Sequence, residues 1–181
     1  LTIGARGEIL KLSLHFLWEH AMTEPVVHDT FTLERTYPAP VARVFAFLAD
    51  PEKKRRWYAS ADREAIEAFE IDFREGGVER VAFRMDERTP FPGAVLANEG
   101  RFEDIVPNRR IVVSTSMTLA GRRISTSLVT LELVEAGGGT DLILTHQGAF
   151  YEGSGGPEMR KEGWRVLLDR LGHAITEAAA A

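Results

Sequence analysis

The chain predicts an α+β fold, a curved antiparallel sheet of about seven strands wrapped on a long C-terminal helix, with two short helices after strand 1. Three observations predict it. A strand is followed at once by two short helical segments. Six alternating apolar–polar segments then follow, each pair joined by a turn too short for a crossover. The chain closes on a strong amphipathic stripe.

Taken in order, Phe31 to Tyr37 (FTLERTY) alternates apolar and polar residues, the period of a strand. Pro38 ends it, and Pro40 suits the first turn of a helix. Val41, Val44, Phe45 and Leu48 recur at i, i+3, i+4 and i+7, one apolar helix face. Asp50-Pro51 closes that helix and opens a second, Glu52 to Tyr58, because Asp is a good N-cap and Pro a good first residue.

The strand segments Ile66–Phe73 and Val78–Met85 flank Gly76-Gly77, which takes the positive φ that hairpin turns need. Ala94–Val106 and Ile111–Leu119 flank Pro107-Asn108; Arg122–Val134 follows Ala120-Gly121; Thr140–Gln147 follows Gly137 to Gly139. Such connections make a meander. Trp164, Leu167, Leu168, Leu171 and Ile175 then form the helical stripe, with Gly153 to Gly156 as the loop leading in. The long helix is the only element large enough to cover the sheet's apolar face. Where the strands diverge beneath it, a hollow is expected, and that hollow is the expected site.

Residues 1–29 read as an N-terminal extension and linker, and residues 30–181 as the domain. The apolar stretch from Ile9 to Trp18 is interrupted by Lys11 and His15 and is too short for a membrane span. Met22 reads as a translation start. An apolar extension of this kind is expected to dock on its own domain or on a neighbour.

With 181 residues, folding buries about 70% of the extended chain's surface, enough for one core. Zero Cys excludes a disulfide framework, thiolate zinc and a cysteine nucleophile, and fits a cytoplasmic location. A net charge of −5 argues against nucleic acid as a partner. A homodimer through sheet edges or the extension is compatible with the pattern but not compelled by it.

Four segments carry a family resemblance. They are Tyr37 to Phe45 running through Leu48-Ala-Asp-Pro-Glu52 to Trp57-Tyr58, Phe73-Arg-Glu-Gly-Gly77, Gly100 to Ile111, and Leu144-Thr-His-Gln-Gly148 with Glu162 to Leu171. In this order, over residues 31–177, they resemble the helix-grip fold of the START and Bet v 1 (SRPBCC) superfamily. The bacterial proteins related to the C-terminal domain of the activator of Hsp90 ATPase are the nearer likeness. Tyr58 replaces a second Trp and Glu75 stands where Pro is common. The resemblance implies a cavity for a hydrophobic small molecule; it does not settle function, because the superfamily holds carriers, resistance proteins and co-chaperone domains.

The residues expected around the hollow are Trp57, Phe69, Phe83, Phe102, Met117, His146, Trp164 and Leu168, with core filling as the alternative for each. Core demand is lowest for Trp57, beside the charged run Lys53 to Arg56, itself read as a solvated helix face. His146 shares a strand face with Leu142 and Leu144. It is either a ligand-facing imidazole or a strand-end histidine satisfied by a carbonyl or water. His15 and His20 complete no metal cluster, and Glu67, Glu70 and Asp72 read as a solvated strand face. No nucleophile elbow, phosphate loop or metalloprotease motif occurs, so no catalytic residue, metal or cofactor is assigned.

The sequence thus points to binding of a hydrophobic or amphipathic small molecule between sheet and helix, as a carrier or sensor without turnover. The alternatives are a co-chaperone-type protein-binding module and an enzyme pairing His146 with a carboxylate. A filled core under an exposed apolar patch favours the module. A buried polar pair aimed into a void favours the enzyme.

Overall fold

A computed structural model of the chain describes residues 25–59 and 64–180. The apolar stretch near the start, with His15 and His20, lies outside them. The elements are β1 (Val27–Tyr37), α1 (Val41–Ala49), α2 (Pro51–Tyr58), β2 (Glu64–Ile71), β3 (Val78–Met85), β4 (Val95–Val106), β5 (Arg110–Leu119), β6 (Arg122–Ala136), β7 (Gly139–Phe150) and α3 (Gly156–Ala180).

The seven strands form one antiparallel sheet in the order β1-β7-β6-β5-β4-β3-β2. Strands β2 to β7 are the expected meander. β1 lies beyond β7, so α1 and α2 carry the chain from one edge of the sheet to the other. β1 begins at Val27, four residues before the alternation does, because Val27 to Thr30 pair with Phe150 to Gln147. Register shifts at Ile66/Ala68, Phe102/Asp104 and Met117/Thr118 interrupt the ladders. Bulges of this kind bend the strand that carries them and strengthen its twist.

Local chemistry holds the ends. The Asp50 carboxylate accepts from the backbone N–H of Glu52 at 2.9 Å and of Lys53 at 3.4 Å, capping α2. The β5–β6 turn places Ala120 at φ 50° and Gly121 at φ 82°. This left-handed backbone suits Gly and strains Ala.

Helix α3 packs against α1, α2, β1 and β7. The Tyr37 hydroxyl donates to the Leu168 carbonyl at 2.8 Å, and Arg43 donates to the Ala178 carbonyl at 2.7 Å. A Cβ at Gly172 would stand 3.2 Å from the Tyr37 ring, so the glycine permits that approach. The main core runs under α3 and includes Phe31, Val44, Phe47, Phe102, Leu142, Leu144, Leu168 and Leu171. A second, smaller cluster forms around Ala94, Leu119 and Ile124, with Met85, Phe91, Leu96 and Met117 packed against it. Both clusters contribute residues to the wall of one cavity.

Candidate functional site

The cavity is about 280 Å³ and its wall is mostly apolar. Helix α2 contributes Lys54, Trp57 and Tyr58, one face at i, i+3 and i+4. The sheet contributes Glu79 and Met85 from β3, Leu96 and Asn98 from β4, and Val113, Thr115, Met117 and Leu119 from β5. From β6 come Ile124, Val129 and Leu131, and from β7 comes His146. Helix α3 supplies Met159, Arg160, Gly163, Trp164 and Leu167. A Cβ added at Gly163 would meet no atom within 4 Å, so this helix position opens on free space.

Several polar groups break the apolar wall. Lys54 and Glu79 form a buried ion pair. The Lys54 ammonium also lies 5.2 Å from the centre of the Tyr58 ring and 5.7 Å from that of Phe102. Asn98 donates its amide N–H to the Tyr58 oxygen at 3.2 Å. Burial first, and the Glu79 charge second, hold the Tyr58 phenol well above its ordinary pKa. It is neutral at pH 7.

Arg160 reaches in from α3. One terminal guanidinium nitrogen donates to Ser125 Oγ at 2.9 Å and lies 3.1 Å from the Met117 sulfur. The guanidinium also stands over the Phe150 ring, 5.8 Å from its centre. Burial lowers its pKa from the ordinary arginine value, yet an arginine stays cationic in a protein.

His146 is fully buried. Its ring stacks on Phe31 with centroids 4.9 Å apart and planes 3° from parallel, and on Phe150 at 5.8 Å. Neither ring nitrogen has a hydrogen-bond partner among the described residues, and nor does Ser127 Oγ. Gly148 leaves the room beside them: a Cβ there would stand 2.9 Å from the His146 ring and 3.0 Å from Ser127 Oγ and Phe150. Burial, and then the charge of Arg160, push the His146 pKa down to about 4. At neutral pH the imidazole is uncharged, with one donor and one acceptor nitrogen. No group of His, Asp or Glu among the described residues is arranged to hold a metal ion.

Against these contents, the family model described as Activator of Hsp90 ATPase homolog 1-like protein matches residues 38–176. The chain belongs to that family. The matched span includes every residue of the cavity wall, from Leu48 to Leu167. Among solved structures, a protein from Rhizobium loti is 41% identical with a TM-score of 0.73, covering 83% of this chain and 99% of its own. An uncharacterized protein from Rhizobium leguminosarum is 34% identical with a TM-score of 0.78, covering 84% and 97%. An AHSA1-like protein from Aeromonas hydrophila, 18% identical with a TM-score of 0.61 over 84% and 96%, shares the fold. None of the curated proteins matches.

Of the eight residues singled out by sequence, Trp57, Met117, His146 and Trp164 meet at the cavity wall. The other four do not. Phe102 is fully buried in the main core, edge-on to Phe73. Leu168 turns into the same core while its neighbour Leu167 faces the cavity, a consequence of the 100° step between adjacent helix positions. Phe69 on the edge strand β2 and Phe83 on its neighbour β3 are half-buried, and Phe69 lies under the Arg55 guanidinium at 5.2 Å.

Three expectations need correction. The charged run is not a uniformly solvated face: Lys54 is buried with Glu79, because the i+3 and i+4 spacing puts it beside Trp57 and Tyr58. Trp57 is a core residue as well as a cavity residue, since its indole N–H donates to the Phe47 carbonyl at 2.9 Å. His146 lies inside β7 rather than at a strand end. Sequence reasoning missed Lys54, Glu79 and Arg160, each of which falls on an apolar face by its own periodicity.

Proposed function

We propose that this protein binds a hydrophobic or amphipathic small molecule in the cavity between the sheet and α3, as a carrier or sensor. The observation that carries this reading is the cavity itself: about 280 Å³ in volume, walled by side chains from three helices and five strands, with a few polar groups set into an apolar lining. Sites for small molecules have this composition. A core built only for stability would close such a space, since a void forfeits contacts at about 20–30 cal/mol per Å³. Native mass spectrometry of protein purified from its own host tests the reading. A retained apolar compound supports it; a bare protein that also fails to bind the neutral dye N-phenyl-1-naphthylamine counts against it.

A second reading, turnover of a hydrophobic substrate, is favoured by the Lys54–Glu79 pair at the cavity wall. The version that paired His146 with a carboxylate is not supported, because neither ring nitrogen meets one among the described residues. In the enzyme reading Glu79 is the acid–base group. Glu79→Gln then abolishes turnover while leaving dye binding in place.

A further inference from the structure

We propose that the molecule this cavity takes is an amphipathic acid, whose anionic head pairs with Arg160. The inference rests on the cavity being a ligand site and adds the chemical class of the ligand.

The charges of the wall do not cancel. Lys54 and Glu79 neutralise each other in their ion pair. Arg160 is left over, and among the described residues no carboxylate stands within 4 Å of it. Its side-chain partners there are neutral: one hydroxyl, Ser125 Oγ, and one thioether, Met117, which is a weak acceptor. A guanidinium carries five N–H donors, and these two contacts both use the same terminal nitrogen. Keeping a largely buried cation without a counter-charge is costly, and an anion removes that cost. Arginine is also the side chain whose planar fork matches a carboxylate.

His146 points the same way independently. It is fully buried, lines the same cavity, and neither ring nitrogen meets a side-chain hydrogen-bond partner among the described residues. The Phe150 ring lies against both His146 and Arg160. A neutral imidazole offers one N–H donor, so an acid held by Arg160 has a second donor on the same wall. A ligand cation would meet Arg160 as a like charge, and a neutral ligand would leave it unpaired. The apolar remainder of the wall, including Met85, Leu96 and Leu119, takes the hydrocarbon part.

The test uses three probes of equal chain length, decanoate, decanol and decylammonium, titrated calorimetrically below micelle-forming concentration at pH 7.5. Decanoate is expected to bind about 10- to 100-fold more tightly than decanol, the range of a charge-assisted hydrogen bond, and decylammonium more weakly than either. Arg160→Gln should erase the preference for decanoate and keep decanol binding. If wild-type protein binds decanoate and decanol equally, or Arg160→Gln weakens both alike, the anionic class is wrong while the cavity remains a ligand site. If none of the three probes binds and N-phenyl-1-naphthylamine does not either, both readings fall.

Discussion

Lowering the pH from 7 to 5 should destabilise this protein by about 2 kcal/mol through His146 alone. The folded protein holds His146 at a pKa of about 4, against 6.5 for the exposed imidazole of the unfolded chain. Between those values the unfolded chain binds a proton that the folded protein refuses. Stability is therefore full above about pH 6.5, falls as the pH drops through that window, and levels off below 4. At about 1.4 kcal/mol per unit, the whole window is worth about 3 kcal/mol, of which about 2 is lost by pH 5. For a chain of this size that lowers the melting temperature by about 4–8 °C. Asp50 and Asp104 are held below their ordinary pKa by Lys53 and by Arg110. They therefore act at and below the normal carboxylate range, under this window.

Urea unfolding of wild type and His146→Leu at pH 7, 6 and 5 reads the effect. Leu has nothing to titrate, so its midpoint should stay level while the wild-type midpoint falls. A wild-type midpoint that does not move, or a variant that keeps the same slope, would show that the imidazole is not shielded as described.

Three further outcomes follow from the same contacts. Lys54→Met leaves Glu79 buried without its partner and should cost about 3–5 kcal/mol; the double variant Lys54→Met/Glu79→Leu should recover most of it, as a double-mutant cycle in urea will show. Ala120→Asn should raise stability by about 0.5–1 kcal/mol, because Asn tolerates the left-handed turn backbone better, and a drop in the urea midpoint would contradict that geometry. Gly163→Ala should stabilise α3 by about 1 kcal/mol, since helix propensity favours Ala and the added Cβ meets no atom; thermal unfolding measures it.

The periodicities carried the fold because its elements are long and regular. The β2–β7 meander, the Asp50 cap and the α3 stripe each rest on short-range rules that tertiary packing does not overturn. The position of β1 was not readable in the same way. Its pairing with β7 is set across the whole chain, and Val27 to Thr30 join the strand through their partners rather than through their own pattern.

The candidate site was legible by face but not by depth. Phe83 shares a strand face with Glu79 and Met85, yet those two line the cavity and Phe83 does not. How far along a strand the hollow extends depends on the curvature of the sheet and on where α3 begins. The polar members were overlooked for a different reason. Lys54, Glu79 and Arg160 lie at apolar phases of their own elements, but charged residues are assigned by default to solvent. A charge in phase with an apolar stripe is the signal that finds them. Phe91 has no such signal, since it enters the second cluster from a loop.

The central claim is that the space between the sheet and α3 receives a small molecule. N-phenyl-1-naphthylamine titrated into wild type and into Gly163→Leu, both first shown to unfold cooperatively, tests it most directly. Gly163 lies at the cavity wall on an exposed turn of α3, and a Cβ added there meets no atom within 4 Å, so a leucine at this position is expected to obstruct the space without displacing a neighbour at its Cβ. Wild type should bind the dye saturably, with quenching of Trp57 and Trp164, and the variant should lose most of that binding while staying folded. Equal binding by both proteins, or none by wild type, would contradict the claim.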